Sequence, residues 1–127
     1  MILYHLTWGR HLRSIQKLGL LPNYRPNKWW LTTARERSKG KTFLCSVRRR
    51  PIWEQCFTDG WAGFPKAKKF SWVWLAVNVD GLNLTRDTGE YRGDYFTVAP
   101  IPADRITVHR TILVDREAQT VVGHATA

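Results

Sequence analysis

Apolar residues recur with two different periods along this chain, and the switches between them lay out its elements. Ile2 to Leu6 is a short apolar run with β propensity and reads as a first strand. Thr7 is placed to cap a helix, because its side-chain oxygen can accept a helix-start N–H. From Trp8 to Leu18 the apolar positions Trp8, Leu12, Ile15 and Leu18 return at helical spacing, with Arg10, Arg13 and Lys17 between them. Gly19 stops that helix, and Pro22 comes shortly after. Asn23 to Lys28 is a loop, and Lys28 to Thr32 reads as a second short strand. Thr32 or Thr33 then caps a second helix running through Arg35 and Arg37 to Lys39. It is interrupted at Gly40 and resumes weakly through Phe43 and Leu44.

Residues 48–70 read as a long basic loop with one embedded turn of helix at Ile52 to Phe57. Arg48-Arg49-Arg50 runs into Pro51 as a breaker, and Asp59-Gly60 and Gly63-Phe64-Pro65 supply turn chemistry. Ser71 to Asp80 alternates strictly. Trp72, Trp74, Ala76 and Asn78 share one face; Val73, Leu75, Val77 and Val79 share the other. Asp80-Gly81 turns this strand. Residues 82–93 are polar and turn-rich, Asp94 to Ala99 and Ile106 to Val114 are further strands, and the tail from Glu117 is expected to fray. The order is β-α-β-α-loop-β-β-β, which implies an α+β fold with a largely antiparallel sheet. The 127 residues suit one domain, residues 1–127, with a core of its own.

Charge changes this picture more than composition does. The net charge is +10, and it is lopsided: the first 70 residues hold 15 Lys/Arg against 3 Asp/Glu, and the rest hold 5 against 7. Such asymmetry points to a polyanionic partner, namely DNA, RNA or an acidic protein surface. The clusters Arg48, Arg49, Arg50 and Lys66, Lys68, Lys69 are interleaved with Trp53, Phe57, Trp61, Phe64 and Phe70. They fit either a solvated face or a nucleic-acid groove with stacking platforms. Cys45 and Cys56 have no metal-site spacing and read as free, reduced thiols. No signal-like or membrane-spanning run is present, so the expectation is a cytoplasmic chain with no membrane partner and no bound metal.

Three segments together resemble the ADP-ribosyltransferase family, in the branch whose triad is a histidine, an aromatic and an acid. They are Leu3-Tyr4-His5-Leu6-Thr7 with its helix ending Leu18-Gly19-Leu20-Leu21-Pro22, then Trp29-Trp30-Leu31-Thr32-Thr33-Ala34, then Gly93-Asp94-Tyr95-Phe96-Thr97 with Ile101-Pro102-Ala103-Asp104-Arg105-Ile106. The resemblance spans about residues 3 to 108. It implies a small ADP-ribosyltransferase-like fold, a mainly antiparallel split sheet with two N-terminal helices. It also implies NAD as substrate, with His5 and Thr7 on the ribose and nicotinamide half, Trp30 stacked on nicotinamide, and Asp94 at the place of the catalytic glutamate. Glu90 is the alternative acid. Two positions depart from the family: Leu6 stands where Gly is frequent, and Asp94 is one methylene shorter than Glu.

The implied chemistry breaks the bond between nicotinamide and ribose through an oxocarbenium-like transition state. A carboxylate at Asp94 or Glu90 would stabilise the developing positive charge. Arg13, Arg25, Arg35 or Arg37 would pair with the pyrophosphate, because a planar guanidinium matches phosphate geometry. Each residue also has an ordinary role open to it: His5 a structural strand-end histidine, Trp30 core packing, Asp94 a turn residue. Two functions are compatible with these residues. One is transfer of ADP-ribose from NAD to a nucleic acid or protein, as suits a toxin, an effector or a phage host-modifying protein. The other is a catalytically inactive basic binder or inhibitor that engages nucleic acid or its machinery.

Overall fold

The structure is a computed structural model that describes residues 1–22, 39–58, 68–89, 93–115 and 120–126, the last stretch as backbone. Its elements in chain order are β1 (Ile2–Trp8), α1 (Leu12–Leu18), β2 (Thr42–Leu44), α2 (Arg50–Thr58), β3 (Lys69–Asn78), β4 (Thr85–Arg86), β5 (Tyr95–Thr97), β6 (Ile106–Asp115) and β7 (Thr120–Thr126). The class is α+β. The strands form two antiparallel sheets, a four-stranded one in the order β1-β3-β6-β7 and a three-stranded one in the order β2-β5-β4. They meet where Tyr4 and Cys45 exchange two backbone hydrogen bonds of 2.8 Å, which lays β2 along the free edge of β1. A second tie, between Leu20 and Ile101, joins the end of α1 to the chain after β5.

Strand β3 carries the expected alternation, pairs with β1 and β6 along its edges, and is covered on both faces by the two cores described next. Val73, Leu75 and Val77 join Leu3, Ile15, Leu20, Leu44 and Ile101 in an aliphatic core on the α1 side. Trp72 and Trp74 join Leu6, Trp8, Cys45, Phe57 and Ile112 in an aromatic core on the α2 side. Gly19 ends α1 with φ +81°, a conformation that L side chains rarely adopt. A Cβ there would lie 2.1 Å from the Ile101 carbonyl oxygen, so the close approach of these two backbones needs a glycine.

Several local expectations give way to tertiary partners. Thr7 does not cap a helix: β1 continues through Trp8, paired with Trp72, and a 3-10 turn at Gly9–His11 leads into α1. Phe43 and Leu44 are strand and not helix, because they pair with Phe96 and Tyr95 of β5 and aromatic side chains suit such a pleated surface. Residues 47–58 are a 3-10 turn and then nine residues of helix, and not a loop with one turn. Pro51 is the second residue of α2, where the first-turn N–H has no intrahelical acceptor and its absence costs nothing. Trp53, Glu54 and Phe57 then fall on one face, toward the sheet. The tail does not fray: Thr120–Thr126 pairs with β6 as an edge strand. The strand expected at 28–32, the helix expected from Thr33 and the turns at 59–65 lie outside the described residues.

Candidate functional site

His5 lies on β1 opposite Leu75, on the side of the sheet that holds Leu3 and Val77. It is half-buried, and its Nδ1 is 2.8 Å from the carbonyl oxygen of Phe43 on β2. A carbonyl only accepts, so Nδ1 carries the hydrogen. Burial lowers the His5 pKa, and the Phe43 carbonyl opposes that shift only in part. The ring is therefore neutral near pH 7, and Nε2 presents a lone pair that can accept a hydrogen bond from a hydroxyl. Thr7, two residues along the same face, is half-buried; Arg13 is exposed on α1.

Asp94 is placed by the sharp turn at Gly93, whose φ is +96°, and it enters β5 fully buried. Arg49 donates to it from Nε at 2.6 Å and from Nη2 at 3.4 Å, and Trp53 donates from its indole N–H at 2.9 Å. The hydrogen bond to Asp94 holds Arg49 above the ordinary arginine value. Burial first, and the neighbouring Asp94 charge second, push the Cys45 thiol up to about 12, so Cys45 is an inert buried thiol. His5 from β1 and Asp94 from the start of β5 thus flank the short strand β2. His5 bonds to Phe43, whereas Asp94 is enclosed by groups that precede or belong to α2. Both Asp94 oxygens are engaged within the protein.

The basic run divides in the same way. Arg48 is exposed, Arg49 is committed to Asp94, and the Arg50 guanidinium lies over the Tyr4 ring at 4.6 Å. Lys68 and Lys69 are exposed. Of the other expected site residues, Arg25, Trp30, Arg35, Glu90 and Lys66 lie outside the described residues.

Sequence reasoning passed over Glu54 on α2 and His109 on β6. Glu54 accepts the Trp74 indole N–H at 2.6 Å and lies 3.6 Å from Arg110. The β3–β6 register shifts between Trp74 and Leu75, which pair with Arg110 and Val108 and leave His109 as the extra residue. That bulge brings His109 against the Tyr4 ring, edge-on, with centroids 5.1 Å apart. The 53/54/57 spacing was a usable signal for Trp53 and Glu54. A bulge at His109 leaves no mark in the hydrophobic pattern.

Among the described residues no three His, Cys, Asp or Glu side chains come together in a way that could hold a metal ion. No helix among them is long and apolar enough to cross a membrane. No known family profile matches the chain, and no curated protein sequence does. Among solved structures the fold is similar to EcPltA, with a TM-score of 0.53 and 12% identity, covering 98% of this chain and 84% of that one. At that identity the likeness speaks for the fold alone.

Proposed function

We propose that the chain is an ADP-ribosyltransferase-like protein that moves ADP-ribose from NAD to a macromolecular acceptor. The observation that carries this reading is His5 at the junction of the two sheets, neutral, with Nε2 free to accept a ribose hydroxyl. The resemblance of the segments around His5 and Asp94 to that family supports it. In this reading the C1′–N bond of NAD breaks and nicotinamide leaves with the bonding pair. An oxygen or nitrogen of the acceptor then bonds to C1′ and gives up its proton. Arg13 and Thr7 belong to the NAD side, with Arg25, Trp30 and Arg35 from the segment that joins α1 to β2.

The test is nicotinamide release from NAD, with and without added nucleic acid, for the parent chain, His5→Ala, Asp94→Asn and Glu90→Gln, each first shown to be folded by circular dichroism. Loss with His5→Ala and with one acid variant is expected. Unchanged release in both acid variants would sink the assignment of the acid.

A second reading is favoured by the enclosure of Asp94, whose oxygens are both taken by Arg49 and Trp53. The chain would then be a non-catalytic basic protein that engages a polyanion. Salt-sensitive binding to DNA, RNA or an acidic protein, with NAD left intact, is its signature.

A further inference from the structure

The α2 side of the sheet has a charge left over. Two of the arginines around α2 are matched to carboxylates. Arg49 is matched to Asp94 at 2.6 Å, and Arg110 to Glu54 at 3.6 Å. Arg50 has neither a carboxylate nor a hydrogen-bond acceptor among the described residues. Its contact is the Tyr4 ring at 4.6 Å, and its Nε is buried with no partner. A guanidinium N–H buried without a partner is costly, and an incoming oxyanion that draws the side chain toward itself relieves that cost. Against the same Tyr4 ring stands His109, brought there by the bulge in β6. Partial burial, Arg50 and Arg110 together lower the His109 pKa, so the ring already senses both arginines.

From this arrangement we infer that Arg50, Tyr4 and His109 form a subsite for a phosphate group, on the opposite face of β1 from His5. The planar fork of Arg50, steadied against an aromatic ring, suits two phosphate oxygens, and the Tyr4 hydroxyl and the His109 ring add donors at its edge. The phosphate comes from a nucleic-acid backbone or from a free nucleotide. The subsite sharpens the polyanion part of the proposed function and does not depend on cleavage of NAD.

The experiment monitors the ring resonances of His109 by NMR in the full chain, titrated separately with inorganic phosphate, a mononucleotide, a single-stranded oligonucleotide and acetate. Phosphate is expected to shift His109, and the oligonucleotide to do so at lower concentration if the source is a nucleic acid. A mononucleotide as potent as the oligonucleotide identifies a free nucleotide as the source. Arg50→Gln is expected to weaken phosphate binding about tenfold, the loss of one charge-assisted contact. Arg50→Lys, which keeps the stem and charge but not the fork, is expected to weaken it as well and guards against a misfolded Gln variant. Arg48→Gln, at the exposed neighbour, should change it less than about twofold. Equal losses for Arg48→Gln and Arg50→Gln, an unmoved His109, or acetate binding as tightly as phosphate would overturn the proposal. A chain that releases no nicotinamide yet shows the phosphate shift separates the two readings and retains this one.

Discussion

The two faces of the four-stranded sheet bury similar strands in different ways. On the α1 side Leu3, Val73, Leu75, Val77 and Ile101 make an aliphatic core whose contacts have no direction. On the α2 side Trp72 and Trp74 bring indole N–H groups into the interior, and Trp53 adds a third from the helix. Buried N–H groups favour acceptors, and two of these three find carboxylates: Glu54 for Trp74 and Asp94 for Trp53. Carboxylates in turn draw in Arg49 and Arg110. The aliphatic face holds the fold together and carries His5 next to its core. The aromatic face recruits charge, and Arg50 and His109 both rest against Tyr4 there.

The comparison breaks most visibly where a side chain is removed. Leu75→Ala, on the aliphatic face, should lower unfolding free energy by about 3–4 kcal/mol, because the gap cannot close inside a central strand. Asp94→Ala should cost about 3 kcal/mol, leaving Arg49 and the Trp53 N–H without their acceptor; the partial exposure of Arg49 keeps this below the cost of a fully buried pair. Urea unfolding of both variants measures this, and a cost under about 1 kcal/mol for Asp94→Ala would show that the polar cluster contributes little to the seating of α2.

A sharper comparison uses two tryptophans of one face. Trp74→Phe strips Glu54 of its indole donor, whereas Trp72→Phe removes an indole N–H with no acceptor among the described residues. Both lose the same volume, so Trp74→Phe should be the more destabilising by about 1–2 kcal/mol. Equal costs would mean that packing alone decides this face.

Acid should weaken the chain from both sides. Burial lowers the pKa of His5, and burial with Arg50 and Arg110 lowers that of His109. Each folded value lies below the ordinary 6.5, so the unfolded chain binds protons first as pH falls. Stability is therefore full above that value and declines as pH drops through it. Thermal midpoints at pH 7.5 and 5.5 measure the decline, and His5→Gln should flatten part of it. The smallest effect is chemical. With its thiol pushed to about 12, Cys45 should resist a thiol reagent in the native chain, while the half-buried Cys56 reacts faster; denaturant should bring both to the same rate.

Where the hydrophobic pattern had a single period and both neighbours were strands, it could be read directly. The alternation of β3, its two faces, the turn at Gly81, the break at Gly19 and the α+β class were all legible. Short segments were not. Thr42–Leu44 and Thr120–Thr126 are strands because β5 and β6 pair with them. The start of α2 was hidden by Pro51, which reads as a breaker unless the first turn is known to begin one residue earlier. The candidate site was legible as residue types at β1 and before β5. Its orientation was not, because whether a carboxylate faces solvent or an arginine depends on where α2 docks.

Composition alone determined that this chain is strongly basic, that its charge lies before residue 71, and that it has enough aromatic and aliphatic residues for a core. Those are properties of a sum, and no fold is needed to evaluate them. Only the tertiary structure decided which of those charges are used internally. Arg48, Arg49 and Arg50 are identical in sequence terms, yet one is exposed, one is bound to Asp94 and one rests on Tyr4. The physical reason is geometric: a 3-10 turn running into a helix points consecutive side chains in different directions, and the partners of Arg49 and Arg50, Asp94 and Tyr4, lie elsewhere in the chain.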